Sequence, residues 1–336
     1  MVHRVENLVF SGGGVLGTAY LGVLQYLYEQ GLMANVRRTA GTSAGAIAAC
    51  MVGLNLPFEG LKAAVDTLDY RKVPMKEIPA EQAVLPAYVQ KGLDRVFDDW
   101  ECVLRLVKNY GWFSSGYFYR WIQEQIARQF DRRKKAPPYS FADFNDPRLH
   151  VDGRPFYDVS IIGADISRRN TRVFSFETTP YMEVATAVRI SMSIPVFFEA
   201  VKLEEDGLKD IYADGGVQRV YPLNLYDGTA AANPFTLGVR FKASEAYHEI
   251  HNLLDFIANL LMSLYRVQED AYENDPQDIA RSIVIDPGQV SFVDFDIAPG
   301  DPTYNFLYRA GYDAADSYFR KVSIMPYDGF EGLSNV

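Results

Sequence analysis

The sequence predicts an α/β fold, a mostly parallel sheet carrying helices on both faces. Two features of the 336-residue chain lead there. Short apolar runs alternate with stretches of helical periodicity, the order that builds parallel strands joined by crossover helices. The run 157–164 is apolar almost throughout, as a strand covered on both sides must be. Such sheets place their sites beyond the carboxyl ends of the strands. Two glycine-rich turns fall at those ends.

Residues 7–10 form the first strand, and Ser11-Gly12-Gly13-Gly14 follows it. A helix comes next, with Leu16, Ala19, Tyr20, Val23, Leu24 and Leu27 at helical spacing and Gly31 as its stop. The polar run Arg37-Arg38-Thr39-Ala40 leads into Gly41-Thr42-Ser43-Ala44-Gly45. An apolar helix then runs to Pro57. This is strand, sharp turn, helix, with a serine at the turn. Residues 61–68 read as a helix, 71–86 as a loop rich in proline and charge, and 93–107 as a helix. Residues 111–116 break that helix. A further helix over 117–130 takes Ser115 as its cap. Its apolar members Phe118, Trp121, Ile122, Ile126 and Phe130 read as core rather than as a lipid-binding stripe. A lid would be inserted within 70–130.

After the strand 157–164 come a strand over 171–176 and a helix over 182–191, ended by Ser193-Ile194-Pro195. Residues 197–203 and 209–213 make a hairpin, and Asp214-Gly215-Gly216 closes its second arm. A strand over 235–241, an amphipathic helix over 250–267, a strand over 282–285 and a helix over 305–322 complete the chain. There is no internal repeat and no proline- or glycine-rich linker. We read 1–336 as one domain, with a core at 5–227 and an extension, 228–336, packed on it.

Hydrophobic residues make up 48% of the chain and aromatics 14%, enough for a sizeable core. The formal net charge of -10 argues against a nucleic-acid partner and against docking on anionic lipid through charge alone. The one dense basic run, Arg132-Arg133-Lys134-Lys135, reads as a solvated loop. Cys50 and Cys102 do not make a disulfide framework. The four histidines, His3, His150, His248 and His251, lack metal-ligand spacing, so no zinc site and no cofactor are expected. The apolar run 5–10 is too short for a signal peptide, and 256–265 covers about half a membrane span. The expectation is a cytoplasmic or peripheral membrane protein, or one exported without a cleavable signal.

Gly12-Gly13-Gly14-Val15-Leu16-Gly17 matches a dinucleotide fingerprint. The acidic residue expected about twenty positions later is missing, and Arg37 and Arg38 stand there instead. The same glycines also suit an anion nest, and an oxyanion is one such anion. A reactive serine one βα unit later favours the nest, because the dinucleotide reading gives Ser43 no role. A serine needs a base. His248 and His251 would complete the Ser, Asp, His order of an α/β-hydrolase, but both open an amphipathic helix. Asp214 is the better candidate, since it ends a strand and two glycines let another chain approach. It must then lie within direct reach of the Ser43 hydroxyl.

The three motifs, in this order, resemble those of the patatin-like phospholipases. Tyr110-Gly111-Trp112-Phe113, Phe141-Ala142-Asp143-Phe144 and Ala187-Val188-Arg189-Ile190-Ser191-Met192-Ser193-Ile194-Pro195 are similar to family words as well. The resemblance spans about 7–225 and implies a three-layer α/β/α sandwich. It implies Ser43 as nucleophile, Asp214 as base and Gly12, Gly13 and Gly14 as oxyanion hole. Gly17, Gly41, Gly45, Gly215 and Gly216 would support these turns. The implied reaction is hydrolysis of a glycerolipid acyl ester, of phospholipase A or lysophospholipase type, through an acyl-enzyme and without a metal. The implied partner is membrane or micellar lipid, and an activating partner is left open. Leu16 departs from the pattern, because many members carry Arg or Lys there. A neutral ester, transfer to an acceptor other than water, or a binding module that keeps the fold without turnover are the alternatives.

Overall fold

The computed structural model describes residues 4–75, 100–205, 207–229, 231–242, 247, 249–251 and 253–324. Its strands are β1 (Asn7–Phe10), β2 (Arg38–Thr42), β3 (Gly111–Phe113), β4 (Asp158–Asp165), β5 (Asn170–Phe174), β6 (Val196–Phe198), β7 (Val201–Glu205), β8 (Leu208–Asp214), β9 (Thr236–Phe241) and β10 (Ser282–Ile285). The helices are α1 (Ala19–Glu29), α2 (Ala44–Gly53), α3 (Phe58–Val65), α4 (Trp100–Asn109), α5 (Gly116–Ala127), α6 (Phe141–Phe144), α7 (Val184–Ser191), α8 (Gly216–Arg219), α9 (Leu253–Glu273), α10 (Pro276–Ala280) and α11 (Pro302–Ile324).

The main sheet runs β10-β9-β1-β2-β4-β8-β7, with β5 added on β4. From β10 to β4 every pairing is parallel, whereas β8, β7 and β5 are antiparallel. Alternation along β1 shows the layers. Leu8 and Phe10 point into a large core shared with α1, α2, α7 and α11. Val9 points into a smaller core with Ala40, Val220, Tyr221 and Tyr265 on the opposite face. This is the expected sandwich, with helices on both sides of a mostly parallel sheet.

Register brings the two polar turns together. Thr42 pairs with Ile162 on β4, and the next β4 residue, Gly163, pairs with Asp214 on β8. The end of β2 and the end of β8 therefore meet across one strand. β9 and β10, from beyond residue 227, continue the same sheet on the far side of β1.

α11 lies along α1, and the two backbones nearly touch. A methyl on Gly22 would overlap the Tyr308 carbonyl, and one on Gly311 the Ala19 carbonyl. Around this crossing Tyr26 stacks on Phe319, and Tyr308 donates to Gln25 at 2.6 Å. Gly311→Leu is expected to lower stability by at least about 2 kcal/mol, because neither helix can shift without opening the core. An unchanged denaturant midpoint would contradict this.

Three expectations change in the structure. The strand expected over 197–203 is two strands, β6 and β7, broken at Glu199. That carboxylate accepts from Arg189 at 2.7 Å and from Ser114 at 3.2 Å, which pulls the chain out of the main sheet. β6 pairs instead with β3, in the segment expected only to break a helix. Ser115 precedes α5, but its hydroxyl accepts from Arg189 at 2.8 Å, and the Gly116 amide bonds the Ser114 hydroxyl instead. Residues 76–99, which take in most of the expected loop over 71–86 and the start of the 93–107 helix, lie outside the described residues, as do His3 and His248. Among the described residues no helix is long and apolar enough to cross a membrane.

Candidate active site

Ser43 sits between the end of β2 and the start of α2 with φ 55 and ψ −121. A left-handed φ is unfavourable for any residue with a Cβ, so the turn stores strain. Its neighbours explain why it survives. A methyl on Gly41 would overlap the Gly45 carbonyl, and one on Gly45 the carbonyls of Phe10 and Ser11. Strand, turn and helix are thus folded too tightly for any other residue at those two positions. Gly17 packs against Ala44, the first residue of the helix.

Asp214, at the end of β8, is wholly buried. Its Oδ1 accepts from the Gly216 amide at 2.7 Å, while Oδ2 has no hydrogen-bond partner of ordinary geometry. The Ser43 hydroxyl is nevertheless near enough to favour the ionised carboxylate. The contact is thus loose, and catalytic hydrogen bonds commonly tighten only around substrate. Burial pushes the Asp214 carboxyl up to about 7, and the Ser43 hydroxyl and the Gly216 amide hold it from rising further. A carboxylate tuned to neutral pH is a better base than an ordinary one.

The glycine loop lies against Ser43. A methyl on Gly12 would come within 3.4 Å of the Ser43 Cβ. Of the three amides expected to form the oxyanion hole, that of Gly12 is already paired, donating to the Val220 carbonyl at 2.8 Å. The amides of Gly13 and Gly14 have no acceptor among the described residues. The loop therefore offers two free amides rather than three, because a partner far along the chain takes the first. Gly14 and the N-terminus of α2 at Ala44 both face the cavity above Ser43.

That cavity is small, about 30 Å³, and its wall is apolar, with Ile47, Leu68, Val73, Phe118, Ile194 and Phe198. Such a space holds about two waters.

Ser191 and Ser193 were not expected to matter beyond their place in a family word. The Ser191 hydroxyl accepts the Ser43 amide at 2.9 Å and donates to the Ile162 carbonyl at 2.5 Å. The Ser193 carbonyl accepts the Asp214 amide at 2.8 Å. The end of α7 thereby holds both polar turns. The only hint in the sequence is the run Ser191-Met192-Ser193-Ile194-Pro195 where a helix stops. Ser191→Ala leaves the buried Ser43 amide without an acceptor, a cost of about 1–3 kcal/mol. Turnover is expected to fall about tenfold with the fold retained. Unchanged kinetics in the purified variant would contradict this.

The two described histidines are elsewhere. His150 is buried, stacks on Phe156 and bonds the backbone carbonyls of Arg154 and Asp143. His251 is exposed and pairs with Glu249 at 3.2 Å.

The family model for patatin-like phospholipases matches residues 8–226, which contain the glycine loop, the Ser43 turn and the Asp214 turn. The chain belongs to this family. Among its relatives, YqhO of Bacillus subtilis (strain 168) is 27% identical over 265 residues, 79% of this chain and 80% of that protein. Triacylglycerol lipase ptl3 of Schizosaccharomyces pombe is 54% identical over 43 residues, 13% of this chain and 8% of that one. The crystal structure of VipD from Legionella pneumophila shares the patatin-like fold, with a TM-score of 0.57 and 17% identity. That match covers 95% of this chain and 67% of VipD. At the position where many patatin-like members carry a cation, Leu16 is buried in the main core.

Proposed function

We propose that this protein hydrolyses lipid acyl esters with Ser43 as nucleophile and Asp214 as its base. One observation carries the proposal: a strained serine turn faces a buried carboxylate that has one oxygen unpartnered and titrates near 7. Ser43 Oγ attacks the ester carbonyl carbon while its proton passes to Asp214. The oxyanion is held by the amides of Gly13 and Gly14, and by that of Ala44 at the N-terminus of α2. The bond to the leaving alkoxide breaks, and Asp214 returns the proton to it. Water then repeats the sequence on the acyl-serine and releases a fatty acid. The apolar cavity above Ser43 suits an acyl chain. Membership of a lipid-hydrolysing family and the likeness to a triacylglycerol lipase support the substrate class.

A second reading concerns the head group. Leu16 puts no charge at the loop-to-helix corner, and this favours a neutral acylglycerol over a phospholipid. Both readings are tested by lipid products from liposomes that contain phospholipid and triacylglycerol. Wild type should release fatty acid and Ser43→Ala should not. Release from both proteins, or from neither, would remove the hydrolase reading, and the parent lipid consumed decides the head group.

A further inference from the structure

We propose that Gln268, on α9, is a positioning residue that locks the Asp214 turn and the glycine loop into one unit. The proposal rests on the hydrolase reading above and extends it to a helix beyond the segment that matches the family model.

α8 is a single turn, Gly216–Arg219, that follows the Asp214 turn directly. Four residues cannot hold a helix by themselves. In a continuous helix the Val220 amide would donate to the Gly216 carbonyl, four residues back. Here the Gln268 side chain is inserted between them. Its Nε2 donates to the Gly216 carbonyl at 2.8 Å, and its Oε1 accepts the Val220 amide at 2.7 Å. Only a side-chain amide offers a donor and an acceptor spaced to fill both roles.

Both ends of this bridge lead to the reacting groups. The Gly216 amide donates to Asp214 Oδ1 at 2.7 Å. The Val220 carbonyl accepts the Gly12 amide at 2.8 Å, at the start of the glycine loop. A single side chain thus fixes the separation between the carboxylate and the oxyanion donors. Tyr265, three residues earlier on the same face of α9, seats the helix. Its hydroxyl stands against Gly216, where a Cβ would lie within 2.6 Å of the phenol ring carbon Cζ. Gly216 is therefore needed for α9 to reach the turn. The Ser43 hydroxyl and the Gly216 amide act on the Asp214 carboxyl, and burial and the carboxylate in turn push up the Tyr265 phenol that faces it from α9.

The test uses Gln268→Leu and the near-isosteric Gln268→Met, each of which removes both bonds without adding a charge. Two readings are taken on the full chain. The first is kcat and KM on p-nitrophenyl butyrate. The second is the titration of the Asp214 carboxyl by carbon-13 NMR, identified as the signal missing from Asp214→Asn. We expect kcat to fall about tenfold in Gln268→Leu with KM within about twofold. In Gln268→Leu, which adds no charge, the Asp214 midpoint should also rise by roughly half a unit or more, because the released turn no longer holds the Gly216 amide on Oδ1. A residue that only stabilises the fold would leave that midpoint in place. If Gln268→Leu does not fold, Gln268→Met decides alone. Wild-type kcat together with an unmoved midpoint overturns the proposal. A moved midpoint in a protein without Ser43-dependent hydrolysis upholds the positioning role and removes the hydrolase reading.

Discussion

Ser43→Ala is expected to lose ester hydrolysis by at least about 10³-fold in kcat, with a melting temperature within about 2 °C of wild type. The size of the loss follows from the geometry. Of the residues that line the cavity with Ser43, Tyr70 also carries a hydroxyl, and burial keeps that phenol protonated. Binding should persist, because that wall is apolar and does not involve the hydroxyl. The fold should persist too, because the turn is shaped by Gly41 and Gly45 and by the Ser191 bond to the Ser43 amide. An alanine at 43 keeps all of these. A purified Ser43→Ala protein with more than a few per cent of wild-type turnover on a soluble ester would contradict the assignment.

Asp214→Asn should be as damaging, and it carries a second signature. Asparagine keeps an acceptor for the Gly216 amide but cannot take the serine proton. In the proposed mechanism Asp214 acts only when ionised, so kcat/KM should rise with pH and level off above about 7. Stability should move the other way. The Asp214 carboxyl titrates higher in the folded chain than the ordinary value of about 4, so the native state holds its proton more tightly. The stability this supplies is full below about pH 4 and is lost as pH rises through about 7. The neutral amide of the variant carries no buried charge, so Asp214→Asn should gain on wild type by a few kcal/mol between pH 5 and 8. A pH-independent difference in melting temperature would show that Asp214 is not the buried, raised carboxylate described here. Full activity of Asp214→Asn together with a dead His248→Ala, His251→Ala double variant would point to a histidine base instead.

Features that depend on neighbours along the chain are legible in the sequence itself. The continuous apolar run of β4 announces a strand buried on both faces. Gly41 and Gly45 announce the tight turn around Ser43. Gly207 and its acidic neighbours announce the β7–β8 hairpin. Features that depend on distant partners are not legible in this way. The Gly12 amide is spent on Val220, which no local pattern connects to it. β3 and β6 are three residues each and are strands only because they meet. Ser115 reads as a helix cap, but Arg189, reaching from α7, claims its hydroxyl. Ser191 gains its role from the register that sets α7 over β4 and β2. In each case the deciding bond joins segments far apart in the chain, and the residue type at either end would serve equally well on a surface.

The central claim is that Asp214 activates Ser43. It is tested most directly by the rate at which a fluorophosphonate modifies the protein at pH 5 to 8, with the adduct located by peptide mass spectrometry. The adduct should fall on Ser43 alone, at a rate that rises with pH to a plateau above about 7 and is lost in Asp214→Asn. Labelling of Ser43 at the same rate in Asp214→Asn, or an adduct on another residue, would contradict the account.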